Sequence, residues 1–354
     1  MSGAAPETRR GQSTSIRSSV VSDGGIEAGS RRVLVTGGAG YIGSIVSRIL
    51  LERGDSVRVF DSLLHGGDAL LSLYPFEGFE FVRGDIRDPE AVDQALDGVD
   101  AVVHLAAIVG DPACSRDPDL AREVNLDASV RLFGLCAKRG VERTVFASTC
   151  SNYGRMPDAN GYVTEETELR PLSVYAETKV AVERRLLEAG NGATPAATVL
   201  RFATIFGLSP RPRFDLTVNE FSAELLTRGR LAVFGEQFWR PYVHVADAAR
   251  AVALVLSAPA ETVSGAVFNI GATAENYRKG DIVRLVREEL GGEDVEIEYV
   301  TQQDDPRDYR VSFEKFERAF GFQPTRTVRD GVREILSAVR SGAIADPHDP
   351  RYRN

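Results

Sequence analysis

Gly37-Gly38-Ala39-Gly40-Tyr41-Ile42-Gly43 follows directly on the apolar run Arg32-Val33-Leu34-Val35-Thr36, and the reading of this junction decides the fold. A short β-branched run ending in glycines spaced G-x-x-G-x-x-G reads as a strand turning tightly into a helix. Glycines let the backbone approach a pyrophosphate closely, and the helix start offers unpaired N–H groups and a positive dipole end. Gly37, Gly40, Tyr41, Ile42 and Gly43 are therefore expected to hold a dinucleotide. Asp61 closes the next apolar run, Ser56-Val57-Arg58-Val59-Phe60, roughly 20 residues beyond the glycines, where a carboxylate accepts hydrogen bonds from an adenosine ribose. No arginine directly follows Asp61 to receive a 2′-phosphate, so the pattern favours NAD over NADP as cofactor.

Outward from this junction, the runs Ala101-Val102-Val103-His104-Leu105 and Thr144-Val145-Phe146-Ala147-Ser148 alternate with helical patterns, which implies a parallel sheet with crossover helices on both faces. Asp85 and Ile86, after a third strand, are suited to the adenine edge, and Leu105, Ala106 and Ala107 leave room beside the cofactor. Asp117-Pro118 signals a helix start and Gly140 its end, and that helix carries Asn125. A second helix is expected from Pro171 to about Gly190, followed by a strand, Thr198-Val199-Leu200-Arg201-Phe202. Residues 205–232, with Pro210 and Pro212, read as loop-rich and open a smaller lobe. The run from Ser264 to Ile270 returns to the sheet, and helices after Lys279 and Phe313 complete the lobe. The expected architecture is α/β, a Rossmann-type doubly wound parallel sheet with a smaller C-terminal α/β substrate lobe. The NAD-binding domain spans 31–204, with 233–270 returning to it. The substrate lobe takes 205–232 and 271–345, and 1–30 form a disordered tail rich in Ser, Gly and Arg.

Composition narrows the function. A formal net charge of −9 argues against binding nucleic acid or an anionic membrane, since both need an attractive basic surface. No stretch approaches the roughly 20 apolar residues of a membrane-spanning helix. The three cysteines, Cys114, Cys136 and Cys150, show no C-x-x-C spacing, and their odd number suits a reducing cytoplasm better than a disulfide framework. His65, His104, His244 and His348 lack metal-ligand spacing, so no metal site is expected.

Tyr175-Ala176-Glu177-Thr178-Lys179 sets a tyrosine and a lysine one helical turn apart on one face. A phenol is a poor base near neutral pH, but an adjacent ammonium and an oxidised nicotinamide both favour the phenolate. Tyr175 can then take a proton from an alcohol as its hydride leaves to NAD. Ser148-Thr149-Cys150-Ser151-Asn152-Tyr153-Gly154 lies at the C-terminal end of a strand, where α/β sheets place ligands, and the Thr149 hydroxyl can donate to a forming ketone oxygen.

The ordered set TGGAGYIG, Asp61, GDI, HLAA, Asn125, STCSNYG, YAETK and RPYVHVAD resembles the extended short-chain dehydrogenase/reductase family, notably its nucleotide-sugar epimerases and dehydratases, over about residues 31 to 340. The resemblance implies that Thr149 pairs with Tyr175 and that Asn125 supports the active-site helix beside the cofactor. It implies that Arg240 contacts the phosphates of a nucleotide-diphosphate sugar, with Arg307 as a second arginine and Arg310 in reserve. It also implies a homodimer packed through the helix after Asp117 and the Tyr175 helix. Arg213 falls on a substrate-covering loop, and His244 reads as structural.

Three departures shape the functional expectation. Family 4,6-dehydratases carry an Asp-Glu pair directly after the catalytic threonine, and here Cys150 and Ser151 stand there, which disfavours simple dehydration. Cys150 is either a small packed residue or a shaper of the sugar pocket. Thr204 stands where 4-epimerases often carry asparagine, and the loop Val109-Gly110-Asp111-Pro112-Ala113-Cys114 differs from their common version. The expected activity is NAD-dependent epimerisation of a nucleotide sugar through transient oxidation at C4. The alternatives are a net keto-sugar reductase or alcohol dehydrogenase, or a nucleotide-sugar dehydratase or decarboxylase.

Overall fold

Strands buried on both faces must be largely apolar, and the central runs of the first half of the chain meet that demand. With the runs that flank them they form β1 (Arg32–Thr36), β2 (Ser56–Asp61), β3 (Phe79–Arg83), β4 (Ala101–His104), β5 (Arg143–Thr149) and β6 (Ala196–Phe202). The chain continues through β7 (Thr204–Phe206), β8 (Arg230–Phe234), β9 (Trp239–His244), β10 (Ala266–Ile270), β11 (Asn276–Arg278) and β12 (Glu296–Val300). The structure, a computed structural model, describes Met1 and residues 31–156, 161–188, 195–292, 294–300 and 307–354. The tail expected over 1–30, Met1 apart, and the expected helix end at Gly190 lie outside these residues.

Seven strands make one parallel sheet in the order β10-β6-β5-β4-β1-β2-β3. Strand order reverses between β1 and β4, so their C-terminal ends open the crevice in which doubly wound sheets bind ligands. Two small sheets, β11-β9-β7 and β12-β8, build the second lobe.

Three segments differ from the sequence reading. Of the stretch 233–270 read as returning to the large sheet, β9 pairs instead with β7 and β11 in a small sheet, and β10 is the strand that returns. Within 205–232 stands a helix, Thr217–Arg228, whose Val218, Phe221 and Leu225 are buried at helical spacing and whose end is set by Gly229 at φ +64°. Pro210 and Pro212 break only the turn before it. The helix expected from Asp117 to Gly140 is interrupted: Pro118–Arg122 and Ser129–Arg139 flank a π-helical turn, Glu123–Ala128. The wider turn carries Asn125 inward, where its amide accepts from Ile108 N (2.8 Å) and donates to Ile108 O (2.9 Å).

Below the C-terminal end of β5 lies a buried ionic network. Glu183, from the helix Val174–Glu188, receives Arg201 of β6 through Nη2 (2.7 Å) and Nε (3.1 Å), together with Asn152 Nδ2 (2.8 Å) and the Ser148 hydroxyl. Arg201 also donates to Tyr153 Oη (3.0 Å), which donates to Asn269 Oδ1 of β10 (2.7 Å). Both ions of the pair are buried, so removing one partner strands the other in a low dielectric. Arg201→Met is expected to destabilise the fold by about 3–5 kcal/mol in urea unfolding, and the double variant Arg201→Met/Glu183→Leu by much less. Equal losses in the two variants would mean that the stranded charge is not the source of the penalty.

Candidate active site

The glycine turn is a cradle that side chains would fill. Gly37 sits at φ +73°, and a Cβ there would lie 2.7 Å from Ala106 N and 2.9 Å from its Cα. A Cβ on Gly43 would come within 2.2 Å of Gly37 O, so the helix Gly43–Glu52 starts against bare backbone. Asp61 accepts from Ala39 N (3.0 Å) and from Leu63 N (2.8 Å), tying the end of β2 to the turn. Burial raises its carboxyl above the usual carboxylate range, and these backbone donors oppose that shift. Leu63 holds a left-handed φ of +62°, rare for leucine, directly beside this carboxylate. A close backbone turn, a helix start and a carboxylate one strand away fit the pyrophosphate and adenosine ribose of a dinucleotide.

A cleft of about 560 Å³ opens above the turn. Its walls bring together Gly37, Gly40, Tyr41, Ile42, Gly43, Asp61, Asp85, Ile86, Leu105, Ala106, Ala107, Thr149, Ser151, Tyr175, Lys179, Thr204, Arg213 and Arg307. Three expected residues stand outside that lining, each with a physical reason. Asn125 spends its amide on the Ile108 backbone, so it fixes that loop of the cleft wall from behind. Cys150 is buried with its thiol donating to Arg201 O (3.2 Å), and burial raises its pKa well above that of an ordinary thiol. Cys150 is thus packed in the interior and does not line the cleft. Arg240 is buried over the Tyr309 ring and donates to Trp239 O (2.7 Å) and Arg307 O (2.6 Å), so it carries the Arg307 backbone and does not line the cleft. Arg310 stacks on Tyr162 and Trp239.

Tyr175 and Lys179 enter the cleft from the helix Val174–Glu188. The Lys179 Nζ donates to Ala147 O (2.9 Å) and lies 5.9 Å from the Tyr175 ring centre. Burial lowers Lys179 to about 8, which leaves it an ammonium at neutral pH, while Cys114 and Glu183 oppose the shift. Burial raises the Tyr175 phenol, Cys114 and Asp111 add to this, and Arg213 opposes it. The Thr149 hydroxyl oxygen accepts from Ser151 N (3.1 Å), a bond that leaves its own hydrogen for a ligand oxygen.

His104 joins the sheet to this site. One ring nitrogen meets Thr36 Oγ1 (2.7 Å), and the other meets Ser129 Oγ (2.8 Å), which donates to Asn125 O (2.8 Å). Burial and the neighbouring Lys179 cation lower its pKa to about 3, so it stays neutral.

Sequence reasoning passed over several charged residues in the cleft wall, Asp111 and Arg211 among them. Asp111 accepts from Ser173 Oγ (2.7 Å) at the base of the Tyr175 helix and pairs with Arg307. The signal was its place in the unusual Val109–Cys114 loop. Arg211 lines the cleft two residues before Arg213, which forms a two-point pair with Asp215 (3.0 and 2.7 Å). Among the described residues no group of three or more His, Cys, Asp or Glu could hold a metal ion, and no helix is long and apolar enough to cross a membrane.

With the turn, the carboxylate and the Tyr175–Lys179 pair in one cleft, the fold and site define an NAD-dependent enzyme of the extended short-chain dehydrogenase type. The chain belongs to the NAD dependent epimerase/dehydratase family, whose model matches residues 33–271. It is 31% identical over 337 residues to a UDP-glucose 4-epimerase of Azospirillum brasilense, covering 89% of this chain and 93% of the relative. Among solved structures it is similar to the UDP-glucose 4-epimerase of Thermus thermophilus in complex with NAD, at 30% identity and TM-score 0.76, covering 87% of this chain and 99% of the other. It is also similar to DesIV, a dTDP-glucose 4,6-dehydratase from Streptomyces venezuelae with NAD and TYD bound, at 28% identity and TM-score 0.80, covering 90% and 99%.

The buried neutral His104 gives stability a defined pH dependence. Unfolded, the imidazole takes a proton near 6.5, and folded it resists protonation down to about 3. The unfolded chain thus binds more protons in this window, and its stabilising contribution, full above 6.5, is lost as pH falls toward 3 by about 1.4 kcal/mol per unit. Urea midpoints across this window are expected to fall more steeply for the wild type than for His104→Gln. Parallel slopes would assign the acid sensitivity to other groups.

Proposed function

We propose that the protein epimerises a nucleotide-diphosphate sugar at C4, with Tyr175 as the acid/base. The observation that carries this reading is the sharing of one cleft by the Tyr175–Lys179 pair, Thr149 and two arginines, Arg213 and Arg307, without an acidic pair after Thr149. Bound NAD supplies the hydride acceptor and donor. Lys179, an ammonium at neutral pH, favours the Tyr175 phenolate, which takes the proton from the C4 hydroxyl and returns it once the sugar has presented its other face. The Thr149 hydroxyl donates to the C4 oxygen and steadies its charge. The guanidiniums hold the diphosphate while the sugar turns, because two-point contacts to phosphate oxygens leave the glycosidic end as the pivot. Cys150 is buried and its thiol held neutral, and Ser151 is no acid, so the position after Thr149 supplies no carboxyl for elimination of water. This reading is supported by a family of epimerases and dehydratases and by a relative named UDP-glucose 4-epimerase.

Purified protein, once denatured, is expected to release NAD in near-stoichiometric amount by mass spectrometry. NMR spectra of UDP-glucose, UDP-galactose and dTDP-glucose incubated without added cofactor are expected to show conversion to the C4 epimer for one of them. Tyr175→Phe is expected to keep its NAD and lose turnover by about 10²- to 10⁴-fold. An empty cofactor site with NAD(P)H-dependent turnover would replace this reading with a net oxidoreductase, and a 4-keto-6-deoxy product with a dehydratase.

A further inference from the structure

The segment 207–215 of the small lobe lies against the glycine turn and is fastened there. The Tyr41 hydroxyl, within the G-x-x-G-x-x-G run, donates to Gly207 O (2.6 Å). Asn219 closes the segment on itself, accepting from Gly207 N (2.9 Å) and donating to Gly207 O (3.0 Å) and Arg213 O (2.8 Å). From the other side, Phe214 N donates to Tyr352 O (2.9 Å), so residues 349–354 cover the segment.

This fastened loop carries two guanidiniums and one answering carboxylate. Asp215 takes Arg213 through two hydrogen bonds. Arg211, only 7% exposed, donates through Nη2 to Arg353 O (3.1 Å), and its Nε has no hydrogen-bond partner among the described residues. A buried cation whose nearby carboxylate is already engaged, and which keeps an unsatisfied N–H, is costly to hold unless a ligand completes it. Burial, with Arg213 beside it, lowers this guanidinium to about 10, against the usual behaviour of arginine, and Asp215 only partly opposes the shift. Arg211 lines the cleft together with Leu64 and His65, which follow the ribose-binding position Asp61. The other cationic end of the cleft, Arg307, is tied through Asp111 to Ser173 at the base of the Tyr175 helix.

We propose that Arg211 receives a phosphate oxygen of the bound dinucleotide, so that the small lobe clamps the cofactor's diphosphate onto the glycine turn. The Tyr41–Gly207 hydrogen bond carries the assignment to the cofactor, because it seats the arginine loop on the pyrophosphate-binding turn. This assignment is independent of which sugar is turned over and rests only on NAD as cofactor.

The test compares wild type, Arg211→Gln and Arg211→Lys for NAD retained through purification, and, after the bound nucleotide is removed, for affinity toward NAD, adenosine and UDP by calorimetry. Arg211→Gln is expected to copurify with little NAD and to bind it about ten- to hundredfold more weakly, with adenosine and UDP affinities unchanged. Arg211→Lys is expected to fall between, since a point charge cannot reproduce the planar fork. Unchanged NAD affinity in a folded Arg211→Gln protein overturns the proposal. A loss confined to UDP also overturns it, by giving the guanidinium to the substrate's diphosphate, and an equal loss for adenosine does so by tracing the effect to a distorted nucleoside pocket. Should Arg211→Gln fail to fold, the lysine variant decides: NAD affinity equal to wild type rejects the clamp. A wild type that binds no NAD would instead remove the cofactor reading itself, a result distinct from all of these.

Discussion

Everything in the site depends on how closely the backbone from Gly37 to Gly43 passes beneath the Leu105-Ala106 backbone. A methyl group at Gly37 would meet Ala106 N at 2.7 Å, and one at Gly43 would overlap Gly37 O. Because no side chain stands at those positions, the ends of β1 and β4 and the start of the first helix converge at the point where strand order reverses. The crevice is therefore a product of side chains that are absent as much as of those present. Asp61, held by Ala39 N, then fixes the width of the cradle from the next strand.

Around that cradle the groups proposed for catalysis are held by polar contacts that reach across the sheet. Lys179 hangs on the Ala147 carbonyl, Thr149 caps the short turn that follows it, and the same turn is anchored by Asn152 and Tyr153 in the Glu183–Arg201 network. His104 and Asn125 perform the matching task on the cofactor side, one joining β1 to β4 and the other fixing Ile108. Such networks are satisfied at nearly every atom, which is what permits polar groups to sit in a parallel sheet. Their effect is to leave Tyr175 as a group whose surroundings are set before substrate arrives.

The parts of this arrangement legible in the sequence are those written by local spacing. Glycines three apart after an apolar run, a carboxylate at the end of the next, and a tyrosine and lysine one turn apart need only their neighbours to be read. The helix Thr217–Arg228 escaped because two prolines precede it and its N-cap is Leu216, whose side chain makes no capping bond. The π-helical turn escaped because the sequence pattern around Asn125 is that of an ordinary helix, and only the distant Ile108 backbone accounts for the inserted residue. Arg240 and Cys150 show the same limit from the other direction. A motif fixes their positions on strand and turn, but the partners that draw their side chains away from the cleft, Arg307 O and Arg201 O, lie 67 and 51 residues off.

The place of β10 in the sheet has a consequence for how the chain is made. β10 pairs in parallel with β6 at the edge of the seven-stranded sheet, yet the chain between them must first build β7, β8, β9 and the helices that join them. At ribosomal speeds of about 5–20 residues per second, the β6 edge waits for several seconds before its partner exists. That edge carries Ala196-Ala197-Thr198-Val199-Leu200-Arg201-Phe202, a β-prone apolar segment with a single charge. Arg201 thus sits where a nascent sheet is most open to pairing with another chain, and a charge in an exposed strand is the device by which edges resist such pairing.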